Sequence, residues 1–346
     1  MRVTKGNTYL RWALIVCALI TGLVTTLCVG CSTTSGNSES TRQGSTPPAP
    51  VSVHVASLKG PTTLGIVDFI HNVRTGSSEV SVDYEFEIYG LADEIVPKLL
   101  REETDIALLP ANLASILYQR TEGDIIAISV NTLGVLHVVS ADTSIHSIND
   151  LSGKKVFLTG KGTTPEFVLK ALLEHEGLSD AVTLEFKSEA TELAAVLLAD
   201  PNAIAVLPEP YVTSVIAQNP ALLRCIDLNE PWEEAMGEEM VTGVTVARKS
   251  FASEHPEVIA EFLSKQAESV ATVNANPHKS AGYIVELGII SNEVIAAESI
   301  PGCNLVCLTG NEMESSLSHY LNALFNQSPD AVGGFVPTED FYYLSS

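Results

Sequence analysis

From residue 51 onward the apolar positions recur with a period that switches between two and about 3.6, the mark of strands alternating with helices. Residues 51–56 are β-rich, and residues 62–73 set Leu64, Ile66, Val67, Phe69, Ile70 and Val73 along one helical stripe. Residues 82–88 alternate strictly between apolar and polar, as a half-buried strand does. Residues 91–101 read as a helix despite Pro97, which should bend it or shift its start. Strands are predicted at 105–109, 125–130 and 134–139, with a helix over 111–119 among them.

The same grammar resumes after a turn over residues 140–150. Strands are expected at 155–158, 182–186 and 203–207, separated by helices near 165–176 and 189–199. Residues 241–247 form a further β-rich run, and from Pro256 to the end helices dominate. Such alternation implies an α/β protein with parallel sheets covered by helices on both faces. Ligands of these sheets bind at the carboxyl ends of the strands, where loops meet helix N-termini.

The first fifty residues follow a different pattern. Arg2, Lys5 and Arg11 precede an apolar run from Trp12 to Val29, which ends at Gly30-Cys31 and gives way to Ser, Thr, Gly and Asn. A basic start, an apolar core and a small residue before Cys describe a lipoprotein signal peptide over residues 1–30, with Cys31 as the lipidated first residue of the mature chain. Length alone also permits an uncleaved anchor. Thr21, Gly22, Thr25 and Thr26 weaken that span, and no basic cluster follows it. Residues 31–50 are too poor in large apolar side chains to bury a core and read as a flexible tether. In each version the folded body lies at the outer face of the cytoplasmic membrane.

Charge narrows the partners. The chain carries −23, and loss of the three basic residues of the first thirty takes it to −26. That surface repels nucleic acid and anionic lipid. Beyond residue 31 the cysteines are Cys225, Cys303 and Cys307, and the last two read either as a pair or as small buried residues. The eight histidines are scattered without metal-ligand spacing, so neither a metal nor a cofactor is expected. Beyond residue 31, G-x-S-x-G, H-E-x-x-H, C-x-x-C and a strand-end G-x-G-x-x-G are all missing.

Three strand-to-helix corners carry the candidate chemistry. In the first, Lys59, Gly60, Pro61, Thr62 and Thr63, glycine allows the turn and proline suits a helix opening, leaving N–H groups free to hold an oxygen. In the second, Gly162 precedes Thr163 and Thr164, either of which suits a cap before Pro165. Its order differs from that of a phosphate loop, because Lys161 precedes Gly162. In the third, Pro208 and Pro210 stiffen the position of Glu209. Each corner also fits an ordinary turn that binds nothing.

Taken in order, Leu58 to Gly65, Asp105 to Asn112, Asn131 to Val135, Gly160 to Pro165, Leu207 to Pro210 and Glu339 to Tyr343 resemble the solute-binding lipoproteins of ABC importers. The likeness is greatest to the nitrate, sulfonate and taurine group, with its relatives that bind thiamine-pyrimidine precursors. It implies a type II periplasmic-binding-protein fold: two α/β lobes joined by two crossing segments, with a ligand cleft between them. Lobe one would hold residues 51–138 and 243–346, and lobe two residues 139–242. Residues 131–139 and 241–247 would cross between them. The cleft would be lined by Lys59, Gly60, Pro61, Thr62, Thr63, Asn112 and Thr132 from one side, and by Gly162, Thr163, Thr164 and Glu209 from the other.

The resemblance further implies no catalysis, a small polar solute, an ABC permease with its ATPase as partners, and a monomer. Basic residues expected to clamp an anion are sparse: Lys59 and Lys161 stand at the corners, and Glu209 faces them. An amide, hydroxyl or cationic group would suit Glu209 better than a bare anion, unless Glu209 pairs with Lys161. Competing readings are a sensor or adhesion module with a degenerate cleft, and a pyrimidine-synthesis-type enzyme on the same fold.

Overall fold

The computed structural model describes residues 51–159 and 161–344; the signal peptide, the tether, Cys31 and Gly160 lie outside them. The chain opens with β1 (Ser52–Leu58), α1 (Pro61–Leu64), α2 (Val67–Arg74) and β2 (Asp83–Tyr89). Next come α3 (Ala92–Leu100), β3 (Ile106–Pro110), α4 (Ala111–Arg120) and β4 (Ile125–Leu133). It then builds β5 (Leu136–Ser140), β6 (Lys155–Thr159), α5 (Thr164–His175), β7 (Thr183–Lys187) and α6 (Ala190–Ala199). β8 (Ile204–Pro208), α7 (Tyr211–Gln218), β9 (Leu223–Asp227) and α8 (Asn229–Met236) follow. The last part holds β10 (Val241–Arg248), α9 (Lys249–Glu254), α10 (Pro256–Ala275), α11 (Pro277–Glu286), α12 (Glu293–Ser299), β11 (Leu305–Leu308) and α13 (Gly310–Gln327).

These strands form two sheets. One runs β11-β4-β10-β3-β1-β2 and the other β7-β6-β8-β5-β9. In the first, β1 is parallel to β2 and β3, while β10 runs antiparallel between β3 and β4. In the second, β6 is parallel to β7 and β8, and β5 runs antiparallel between β8 and β9. The chain changes sheet at Gly134-Val135 and returns between β9 and β10, so two crossing segments join two α/β lobes.

Sequence patterning explains the placement. Ile106 to Leu109 and Ile125 to Ile128 are continuous apolar runs and lie buried in the interior of the first sheet, where helices cover both faces. The strictly alternating β2 is the edge strand, with Tyr84 buried and Asp83 and Glu85 exposed. Phe69 on α2 meets Tyr84, Phe86 and Phe262 edge-on at centroid distances of 5.2 to 5.8 Å, which seats α2 and α10 on that face.

The single helix expected over 62–73 is two helices, because the chain bends at Gly65-Ile66. Ile66 is wholly buried at the break, and a β-carbon at Gly65 would fall 3.2 Å from Val270. Pro97 lies inside α3 and does not shift its start, which stays at Ala92. Strands β9 and β11 carry no period-two pattern and escaped the reading above.

Candidate functional site

The carboxyl ends of β1, β3 and β4 point the same way, toward the crossing at Gly134. The carboxyl ends of β6 and β8 meet the beginning of β5 at the same crossing, since Leu136 pairs with Pro208. Both sets of corner loops therefore gather where the chain changes sheet.

The first corner is firmly built. Gly60 is buried with φ 139°, a conformation open to glycine alone, and α1 starts on Pro61. Thr62 Oγ1 donates to the Leu58 carbonyl at 2.8 Å, and Thr63 Oγ1 to the same oxygen at 2.6 Å. Thr63 also meets Ser57 Oγ at 2.6 Å. Both hydroxyls thus serve the turn itself. Lys59 is exposed, and its N–H extends the β1–β2 ladder to the Tyr89 carbonyl.

Thr132 lies behind this corner in a chain of buried polar side chains. Its hydroxyl donates to Asn131 Oδ1 at 2.8 Å, and Asn131 Nδ2 donates to Thr245 Oγ1 at 3.2 Å. Gln266 on α10 donates to Thr245 at 2.9 Å and accepts from Ser129 at 2.9 Å. Every member is at most 2% exposed, so the relay fixes the crossing strands β4 and β10 against α10. Gly243 fits here for lack of a side chain: a β-carbon would lie 2.5 Å from Asn131 Oδ1 and 2.8 Å from Thr62 Cγ2.

The second corner reaches across to the other lobe. Asn112, in the first turn of α4, is 1% exposed and receives a hydrogen bond from Thr164 Oγ1 at 3.4 Å. Its amide faces the Gly162 carbonyl at 3.5 Å and the Ala331 carbonyl at 3.4 Å. Thr163 is the N-cap residue of α5, and its carbonyl accepts from the Glu166 N–H at 3.1 Å. The Gly162 N–H donates to Glu166 Oε2 at 2.6 Å, and Lys170 donates to Glu166 Oε1 at 2.5 Å.

At the third corner Glu209 is wholly buried, preceding a cis bond to Pro210. Its partner is Arg224 on β9, not Lys161: Arg224 Nη2 lies 2.6 Å from Oε1. Thr213 adds its hydroxyl at 3.0 Å and its N–H at 3.1 Å. Lys161 instead sits over the Phe186 ring, 5.9 Å from its centroid. Nearby, His137 is buried 3.9 Å from Asp227, and its Nδ1 has no hydrogen-bond partner. Burial lowers the His137 pKa; Asp227 and Glu209 pull it up less strongly, and Arg224 pushes it down.

The lobes also touch through aromatic rings, Trp232 of α8 lying 5.6 Å from Tyr320 of α13. Burial pushes the Tyr320 phenol well above its ordinary range, opposed by the neighbouring Thr164 hydroxyl. No hydrogen bond of ordinary geometry reaches either the Tyr320 hydroxyl or the Trp232 indole N–H. Cys303 and Cys307 are unbonded, and burial together with Glu209 holds the Cys303 thiol protonated.

The structure brings Asn112 together with Gly162 and Thr164, and Thr62 together with Thr132. It separates Glu209 from Lys161. Sequence reasoning passed over Glu166, Arg224 and Tyr320. Only Glu166 carried a local signal, the Thr163-x-x-Glu166 spacing of a capping box. Among the described residues no group of three or more His, Cys, Asp or Glu side chains is placed to hold a metal, and no helix is long and apolar enough to cross a membrane.

The model of a family described as menaquinone biosynthesis matches residues 81–326. An ABC transporter protein from Parabacteroides distasonis is 22% identical over 85% of this chain and 99% of its own, with a TM-score of 0.73. The periplasmic aliphatic sulphonate-binding protein of Escherichia coli is 13% identical over 86% of this chain and 94% of its own, with a TM-score of 0.68. The periplasmic nitrate-binding protein of Synechocystis is 10% identical over 82% of this chain and 85% of its own, with a TM-score of 0.60. No curated protein matches. These neighbours share the type II binding-protein architecture, and they come from the group that the sequence motifs resemble. At such identities the likeness speaks for the fold alone.

Proposed function

The chain belongs to the menaquinone biosynthesis family, and from that premise we propose that it uses the fold for capture: a solute-binding lipoprotein that closes on a small polar solute and delivers it to an ABC permease and its ATPase. The observation that carries this reading is the bridge from Asn112 to Gly162 and Thr164. Groups at the carboxyl ends of two different sheets touch across the crossing, which is how a hinged clamp holds a ligand. In this reading the lobes comprise residues 51–138 with 243–346, and residues 139–242. The walls of the clamp are Lys59 to Thr63, Asn112 and Thr132 on one side and Gly162 to Thr164 and Glu209 on the other. Cys31 carries the lipid that holds a monomeric body at the outer face of the cytoplasmic membrane.

Family membership favours a second reading, an enzyme of that biosynthesis. Buried His137 with its unpartnered Nδ1 is the group such an enzyme would draw on. Mass spectrometry of small molecules released on denaturing the purified full chain, followed by incubation of native protein with the released compound, separates the two. A receptor returns the compound unchanged; enzyme-dependent product formation replaces the receptor reading with the enzymatic one. Replacing Thr163 and Thr164 together by Ala should weaken solute binding without unfolding the chain. A double variant that binds as tightly as wild type removes this corner from the site.

A further inference from the structure

The corner at α5 has the parts of an anion cradle, a glycine N–H and a helix N-terminus, yet it already holds an anion of its own. Glu166 is 6% exposed, takes the Gly162 N–H at 2.6 Å and draws Lys170 onto its other oxygen at 2.5 Å. Arg224 is committed in the same way to the buried Glu209. Each of these cations therefore has a carboxylate on it, and an incoming nitrate or sulfonate would have to displace one. Lys59 and Lys161 also stand at the corners and, like Lys170 and Arg224, are exposed to water, where a cation alone contributes little.

A separate observation points to what the corner does take. The Tyr320 hydroxyl, on a residue 1% exposed, meets only the neighbouring Thr164 hydroxyl, outside ordinary hydrogen-bond geometry, and the indole N–H of Trp232 against its ring has no partner. A buried donor without a partner, beside a hydroxyl that is poorly satisfied, is complementary to acceptors such as carbonyl or ether oxygens.

We propose that Glu166 is the resident anion of its own corner and makes the clamp select an uncharged solute bearing hydrogen-bond acceptors, an inference that rests on the receptor reading above. Glu166 is thereby a specificity-determining residue.

The test is calorimetric titration of the full chain in detergent with nitrate and with methanesulfonate, beside Glu166→Ala and Glu166→Gln. Wild type should take up neither anion. Both variants release Lys170 and should bind both anions roughly tenfold or more tightly, the scale of one charge-assisted hydrogen bond. Gln keeps the shape of the native side chain, so it serves if the Ala variant does not fold. Tight anion binding by wild type, or folded variants no better than wild type, overturns the proposal. The compound released on denaturation gives an independent arm: an uncharged one supports the proposal, and an anionic one overturns it while leaving the receptor reading intact. A chain that binds no small solute counts against the receptor reading, and the anion titrations still decide the role of Glu166.

Discussion

Gly302, just before β11 in one lobe, lies against Glu209 of the other so closely that a β-carbon there would fall 3.1 Å from Glu209 Cγ and 3.3 Å from Oε1. Glu209 cannot easily retreat, because Arg224 and Thr213 hold its carboxylate. Gly302→Ala should therefore push the lobes apart, lowering stability by about 1–2 kcal/mol and weakening solute capture. Urea denaturation and the radius of gyration from small-angle scattering report the two effects. An alanine variant as stable and compact as wild type would show that Glu209 yields instead.

Gly134 at the crossing should be far less tolerant. An added β-carbon would lie 1.4 Å from Asn229 Oδ1, so Asn229 must leave and give up its hydrogen bond to the Gly134 carbonyl. Gly134→Ala should cost about 2–3 kcal/mol. Most of that loss should return when Asn229→Ala is added, so a double-mutant cycle should yield a large coupling between the two positions.

His137 gives the fold a dependence on pH whose sign follows from its burial. Its folded pKa lies below the ordinary 6.5, so the unfolded chain takes up a proton first as the solution is acidified. The neutral histidine contributes its stability above about pH 6.5, and that contribution is lost as the pH falls toward the folded value. Melting curves between pH 7 and pH 5 should show wild type losing stability with a slope of at most about 1.4 kcal/mol per pH unit from this group. In His137→Gln that slope should shrink; an unchanged slope would assign the effect to other groups.

At the amino terminus, Cys31→Ser should release the protein from the membrane while leaving solute affinity unchanged. Fractionation of cells expressing the variant checks this. Retention in the membrane would mean that the apolar run from Trp12 to Val29 is itself the anchor.

The layer architecture was legible because an edge strand alternates strictly, as in residues 82–88, and an interior strand is continuously apolar, as in residues 106–109. The corners were legible too, since Gly60-Pro61 and Thr163-Thr164-Pro165 are local signals of a turn entering a helix. Partnerships were not. Arg224 reaches Glu209 only because β9 pairs with β5, and residues 223–227 show no periodicity that would mark them as a strand. Tyr320 reaches Thr164 from a helix more than 150 residues away along the chain, a meeting that tertiary packing alone creates. The break at Gly65-Ile66 splits a helix whose apolar stripe runs unbroken in sequence, and it lies where α10 packs so closely that a β-carbon on Gly65 would fall 3.2 Å from Val270.

The Gly134 carbonyl accepts from Asn229 Nδ2 at 3.2 Å and from Asn304 Nδ2 at 2.5 Å, one asparagine following the second sheet's β9 and the other preceding the first sheet's β11. A carbonyl oxygen has two lone pairs, and here both are taken by amides from opposite halves. The two halves are thus pinned to one shared atom at the crossing. Any separation of the halves at this point would leave that carbonyl or one of the two amides without its partner.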